Sequence, residues 1–64
     1  MNKLITLFGK VYDTILLGQK YYTDIIETLY FCPAYNTYIL EFKDYNDNFS
    51  YSIINENMAS FWML

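Results

Sequence analysis

The ionisable side chains of this 64-residue sequence are seven carboxylates, four lysines, eight tyrosines and one cysteine. Histidine and arginine are absent. Without histidine there is neither a Ser-His-Asp triad nor a Cys-His pair, and Cys32 alone makes no disulfide and no zinc site. Cys32 precedes Pro33 at the expected C-terminal end of a helix, where the helix dipole does not lower a thiol pKa. Acid–base or metal chemistry would therefore rest on carboxylates. Asp44-x-x-Asp47 lacks the glycine and distal glutamate of an EF-hand loop, and the neighbouring Asn46 and Asn48 are turn formers. Asp24 and Glu27 have the spacing of a helix-capping box. Paired-carboxylate hydrolysis needs a deeper cleft than so small a domain offers. Gly9 and Gly18 are isolated, so there is no phosphate-binding loop. The expectation is a protein that is not an enzyme and uses no cofactor and no metal.

What remains is binding. The net charge of −3 argues against direct contact with nucleic acid. The charge is also unevenly spread: Lys3, Lys10 and Lys20 face only Asp13 in the first twenty residues, whereas Lys43 stands against Asp24, Glu27, Glu41, Asp44, Asp47 and Glu56 in the rest. An acidic surface of this kind suits a basic cleft on another protein, because carboxylates stand in for phosphates and opposite fields speed association. The plainer reading is a solvated face. Tyrosine is in excess as well, and a small core cannot enclose eight tyrosine rings together with five phenylalanines and one tryptophan. Tyr offers a large rigid ring with a hydroxyl at the rim and is enriched at interface centres. Tyr21 lies off the expected apolar stripe, Tyr35 sits in a loop and Tyr45 at a hairpin tip, so these three are the candidate exposed anchors. Glu41, Asp44, Asp47 and Glu56 are the candidate acidic contacts.

The elements that would position these residues are read from hydrophobic period. Leu4, Ile5, Phe8, Val11, Tyr12, Ile15 and Leu16 fall on one face of a 3.6-residue repeat, which predicts a helix over about residues 2–17, with Asn2 as N-cap and Gly18 as C′. Tyr22, Ile25, Ile26, Leu29 and Tyr30 predict a second helix over about 22–31, stopped by Pro33. A strand is the competing reading there, set aside because Ile25 and Ile26 would face opposite ways. After Pro33 the period becomes two: strands over about 36–43 and 49–54, joined by the turn residues Asp44 to Asn48, make a β-hairpin with one aromatic and apolar face. Asn55, Glu56, Met58, Phe61 and Trp62 predict a short helix over about 56–62, with a third strand as the alternative. The expected fold is a single α+β domain of order α-α-β-β-α, its helices packed on the hairpin.

No basic start followed by a long apolar run and a cleavage site is present, because Gly9-Lys10 and Asp13 interrupt the apolar residues. No stretch approaches the length of a transmembrane helix. Lys3 and Lys10 opposite Leu4, Phe8, Val11 and Ile15 suggest an interfacial membrane helix only faintly, since the acidic remainder repels anionic lipid. The expectation is a cytoplasmic protein without membrane contact, and a lone Cys32 suits a reducing compartment. Phe, Tyr, Met, Ile, Asn and Lys fill 33 of 64 positions, a residue usage that points to a low-GC genome.

In size, acidity, aromatic surplus and lack of catalytic groups, the chain resembles the small acidic inhibitors carried by phages and mobile elements of low-GC bacteria. Anti-CRISPR proteins and uracil-DNA glycosylase inhibitors are of this kind. The resemblance is one of type and covers no aligned segment. It implies a stoichiometric protein–protein inhibitor that occupies the basic surface of a host nucleic-acid-processing or defence enzyme. The alternative is a structural, self-assembling homo-oligomer, in the simplest case a homodimer, with an aromatic interface or an unpaired hairpin edge as its seam.

Overall fold

The computed structural model describes residues 2–63. Five strands run in chain order: β1 (Asn2–Leu7), β2 (Lys10–Tyr21), β3 (Ile25–Cys32), β4 (Thr37–Asp44) and β5 (Phe49–Ile54), followed by one short helix, α1 (Glu56–Ala59). Each strand pairs antiparallel with its sequence neighbour, giving a single sheet of order β1-β2-β3-β4-β5. The sheet curls into a half-barrel. The curl is visible in one contact: Lys3 on β1 donates to Glu41 on β4 at 2.6 Å, across the two strands between them.

The expected α+β fold is therefore corrected, for neither N-terminal helix exists. Residues 2–17 form most of a hairpin. Phe8 and Gly9 both take positive φ (52° and 76°) between the paired Leu7 and Lys10, which is a two-residue type I′ reversal. The apparent helical repeat comes from this folding back. Ile5 and Tyr12, seven residues apart, are direct cross-strand partners, and seven is also the spacing of two helical turns. Leu4, Val11 and Ile15 belong to the opposite face and are exposed.

The expected helix over 22–31 is likewise a strand, β3. It lies at the centre of the sheet with both faces packed, so apolar residues appear at adjacent positions instead of alternating. Tyr30 and Cys32 join Ile5, Tyr12 and Ile39 in the concave core, while Leu29 joins Leu40 and Ala59 on the convex side. Pro33 ends a strand, and the β3–β4 turn that follows closes with Asn36 N–H donating to the Pro33 carbonyl at 3.3 Å.

The β4–β5 hairpin stands where it was expected, with one correction to its faces. Phe49, Tyr51 and Ile53 pair with Lys43, Glu41 and Ile39 on the concave side, whereas Tyr38, Leu40 and Phe42 pair with Ile54, Ser52 and Ser50 on the convex side. The two apolar rows thus lie on opposite faces, because both faces of β4 are interior. The C-terminal helix is present but shorter than 56–62. Asn55 caps it, accepting from Met58 N–H through Oδ1 at 2.8 Å.

The segment from α1 to Trp62 covers the convex face. Ala59 is buried against Leu29 and Leu40, and Trp62 Nε1 donates to Glu27 at 2.8 Å. A bulge between Leu16 and Gly18 lets Leu17 also pack on this side. Gly18 is required here by close approach: a Cβ would stand 2.0 Å from the Trp62 carbonyl oxygen.

Candidate interaction surface

The up-and-down order sends the β2–β3 and β4–β5 loops to one end of the sheet and the β1–β2 and β3–β4 turns to the other. Tyr21, Asp44, Tyr45 and Asp47 all stand at the first end. A shallow open depression of about 100 Å³ there is lined by Ile25, Ile26, Lys43, Asp44, Tyr45 and Asp47. Tyr45 is 77% exposed and Tyr21 67% exposed. The Tyr21 hydroxyl donates to the Gln19 side-chain carbonyl on its own strand, and Gln19 in turn donates to Thr28 on β3, so the Tyr21 side chain is tied to the sheet through Gln19. Tyr22, also exposed, stands at the same end and was not among the sequence candidates. The sequence pattern places it on the apolar stripe of the expected helix over 22–31, and that helix does not exist.

The two carboxylates of this end have different roles. Asp44 organises the turn: Oδ1 accepts from the Asn46 and Asn48 backbone N–H groups at 2.9 and 3.0 Å, and Oδ2 accepts from the Asn48 amide at 3.2 Å. The Asn48 backbone bond above all, with the Asn48 side chain and Asn46 N–H, holds the Asp44 carboxyl below the ordinary 3.8. Asp44 therefore stays ionised well into acid, and its turn loosens only as pH falls through that lowered value. Asp47, at φ 59°, projects outward and pairs loosely with Lys43 at 3.3 Å. Such an exposed pair is weak and leaves most of the Asp47 field to a partner.

Three sequence candidates lie elsewhere. Tyr35 is exposed at the opposite end, edge-on to Tyr12 at 5.3 Å between ring centroids and 4.5 Å from the Lys10 ammonium. Glu56 is exposed in the first turn of α1, where its charge favours the helix N-terminus. Glu41 is 5% exposed and faces the concave interior. Its Oε2 accepts from Lys3 at 2.6 Å and from the Tyr51 hydroxyl at 2.9 Å. Its charge is thus used inside the fold, which takes it out of the acidic surface.

This concave cluster is the second chemical feature of the molecule, and the sequence did not show it. Thr14 donates to the Lys3 carbonyl at 2.8 Å, and the Lys3 ammonium lies 5.4 Å from the Tyr30 ring centroid. Burial pulls the Lys3 pKa down, but the Glu41 hydrogen bond and charge outweigh this and leave it above the ordinary 10.5. Burial, reinforced by Glu41, raises both Tyr30 and Tyr51 above 10.0. The polar groups are mutually satisfied, and the arrangement ties the first strand to the last two. Among the described residues no three His, Cys, Asp or Glu side chains converge as metal ligands, and no helix is long and apolar enough to cross a membrane.

Comparison of the chain with protein-family models, with curated proteins and with solved structures finds no match.

Proposed function

We propose that the chain is a non-catalytic inhibitor that binds one host protein stoichiometrically, through the end of the sheet that carries Tyr21, Asp44, Tyr45 and Asp47. One observation carries this reading: the exposed Tyr45 and the carboxylates of Asp44 and Asp47 line one shallow depression, and the exposed Tyr21 stands at the same end of the sheet. Rigid aromatic anchors beside an unspent carboxylate suit a basic surface, and a nucleic-acid-processing or defence enzyme offers one. Asp47 supplies the field and Tyr45 the contact area, while Asp44 keeps the tip in shape. A bacterial cytoplasm, with the gene carried by a phage or mobile element of a low-GC host, is the setting this reading implies.

The test is capture from nuclease-treated lysate of a low-GC bacterium, with wild type, Tyr45→Ala and Asp47→Asn compared as baits. Asparagine is chosen because it tolerates the positive φ of residue 47. A single protein recovered near equimolar yield by wild type should bind Tyr45→Ala about 10-fold more weakly. It should bind Asp47→Asn more slowly, with the deficit fading at high salt. Equal yield and affinity for all three baits would remove this end from the interface.

A second reading, self-assembly, is favoured by a separate observation: among the described residues no strand pairs with the outer edge of β5.

A further inference from the structure

We infer that β5 is the seam of a two-fold symmetric homodimer, in which the β5 strands of two copies pair antiparallel and continue the sheet. The inference specifies the self-assembly reading and is independent of the inhibitor reading.

The two outer strands of the sheet are finished differently. On β1, Lys3 points inward, and an inward charge is one of the devices that keep an edge from pairing. Among the described residues β5 has no such device. Phe49-Ser50-Tyr51-Ser52-Ile53-Ile54 contains no proline and no glycine, and among the strands of the described residues it alone lacks Lys, Asp and Glu. Its inner side is taken by β4, and among the described residues no backbone hydrogen bond beyond that ladder reaches it. The C-terminal segment does not shield it either, since that segment lies on Leu29, Leu40 and Glu27 and leaves Ser50 and Ser52 exposed. A row of free N–H and C=O groups, otherwise met by water, is a template for another extended strand.

Charge and register suit a second copy as that strand. β5 itself carries no charged side chain, so a second β5 can lie beside it without like charges along the convex row, while the Lys3 and Lys43 ammoniums stay over the Phe49 ring at 5.4 and 5.9 Å on the concave side. Antiparallel self-pairing centred on Tyr51 keeps each face in step: Phe49 falls opposite Ile53 of the second copy, and Ser50 opposite Ser52. Phe49 and Ile53 are each 49% exposed on the concave side. Across the two-fold they form aromatic–aliphatic cross-strand pairs, and the serines form hydroxyl pairs on the convex side. The product is one continuous sheet made from two five-stranded halves, with the tyrosine–carboxylate ends pointing in opposite directions.

Sedimentation equilibrium over a concentration series tests this on the isolated protein. Wild type should approach twice 7.7 kDa and hold that mass at high salt, because the seam is neutral. The variant S50K/S52K sets like charges opposite each other along the convex row and should run at the single-chain mass. Both positions are exposed, so its circular dichroism should match wild type. An equimolar mixture of S50K/S52K with S50E/S52E should restore the double mass, each variant alone staying single. A wild-type protein that stays at the single mass at every concentration overturns the inference. So does a dimer that S50K/S52K leaves intact, which would move the contact to the exposed Leu4, Val11 and Ile15 on the convex face of β1 and β2. Failure of the charge-swapped mixture to re-form the double mass overturns the β5–β5 register.

Discussion

In the β1–β2 hairpin, Phe8 and Gly9 reverse the chain on backbone conformation alone, and the Phe8 ring stands 92% exposed with positive φ. In the β4–β5 hairpin, the reversal is built by a side chain: Asp44 gathers Asn46 and Asn48, and only Asp47 is left at positive φ. The strands on either side are comparable, but the first turn spends a residue poorly suited to its conformation, and the second places asparagine and aspartate where they favour it. The two hairpins meet at Glu41, which accepts from Lys3 of the first and Tyr51 of the second. The difference teaches that a hairpin can be stabilised by its turn or by what its strands reach, and the first one depends on the latter.

The comparison is broken most severely at Gly18 of β2. Gly18→Ala drives a methyl into the Trp62 carbonyl, which lies on backbone and yields only if the C-terminal segment lifts. A loss of about 3 kcal/mol is expected, at the upper end of overpacking effects. Thermal melting should fall by more than ~10 °C, with Trp62 fluorescence shifting toward that of an exposed indole; an unchanged melting temperature would detach the segment from the convex face. Next comes the link between the hairpins. Glu41→Gln keeps the shape but removes the charge that Lys3 and Tyr51 share, and should cost about 1–2 kcal/mol near neutrality.

The pH dependence gives that link a signature. Lys3, Tyr30 and Tyr51 all have folded pKa values above their ordinary ones. Each group therefore binds its proton more tightly when folded, so its contribution is complete below about pH 10 and is lost as pH rises through the folded value. Wild type should lose stability steeply in that alkaline range, and Glu41→Gln should flatten the profile. A parallel loss in both would mean that burial alone, without Glu41, raises Tyr30 and Tyr51. The smallest effect sharpens the turn comparison. Phe8→Asn gives the first hairpin an Asn-Gly reversal and should stabilise it by ~0.5 kcal/mol. The equivalent gain should be absent when asparagine replaces Asp47, which already tolerates its φ.

The second hairpin was legible in the sequence because a period of two met a turn written in Asp and Asn. The first was not, because seven-residue spacing serves a helix face and a tight hairpin equally, and Phe-Gly is a faint turn signal beside Asn-Gly. At β3 the strand reading was discarded on a rule that holds for half-buried strands only, whereas this strand is central and buried on both sides. The same cause hid Glu41. It shares the Lys43 side of β4, which reads as solvent-facing, but Ile39 on that side is fully buried. The exposure of Tyr35 and Tyr45 was legible from their places in a loop and at a hairpin tip, whereas Tyr21 was singled out for lying off the stripe of a helix that does not exist. Their distribution between two ends of the sheet was not, because it depends on the strand order.

That strand order has a kinetic consequence. Every strand pairs with the strand just before or after it, so each pairing closes only a short stretch of chain, a low contact order for an all-β topology. Hairpins can form and zip together locally, without a search for distant partners. The distant ties, Lys3 to Glu41 and Glu27 to Trp62, bring together segments more than thirty residues apart and need the sheet already in place. They act as latches on both faces of a structure assembled by neighbours, and they set how slowly it comes apart more than how quickly it forms.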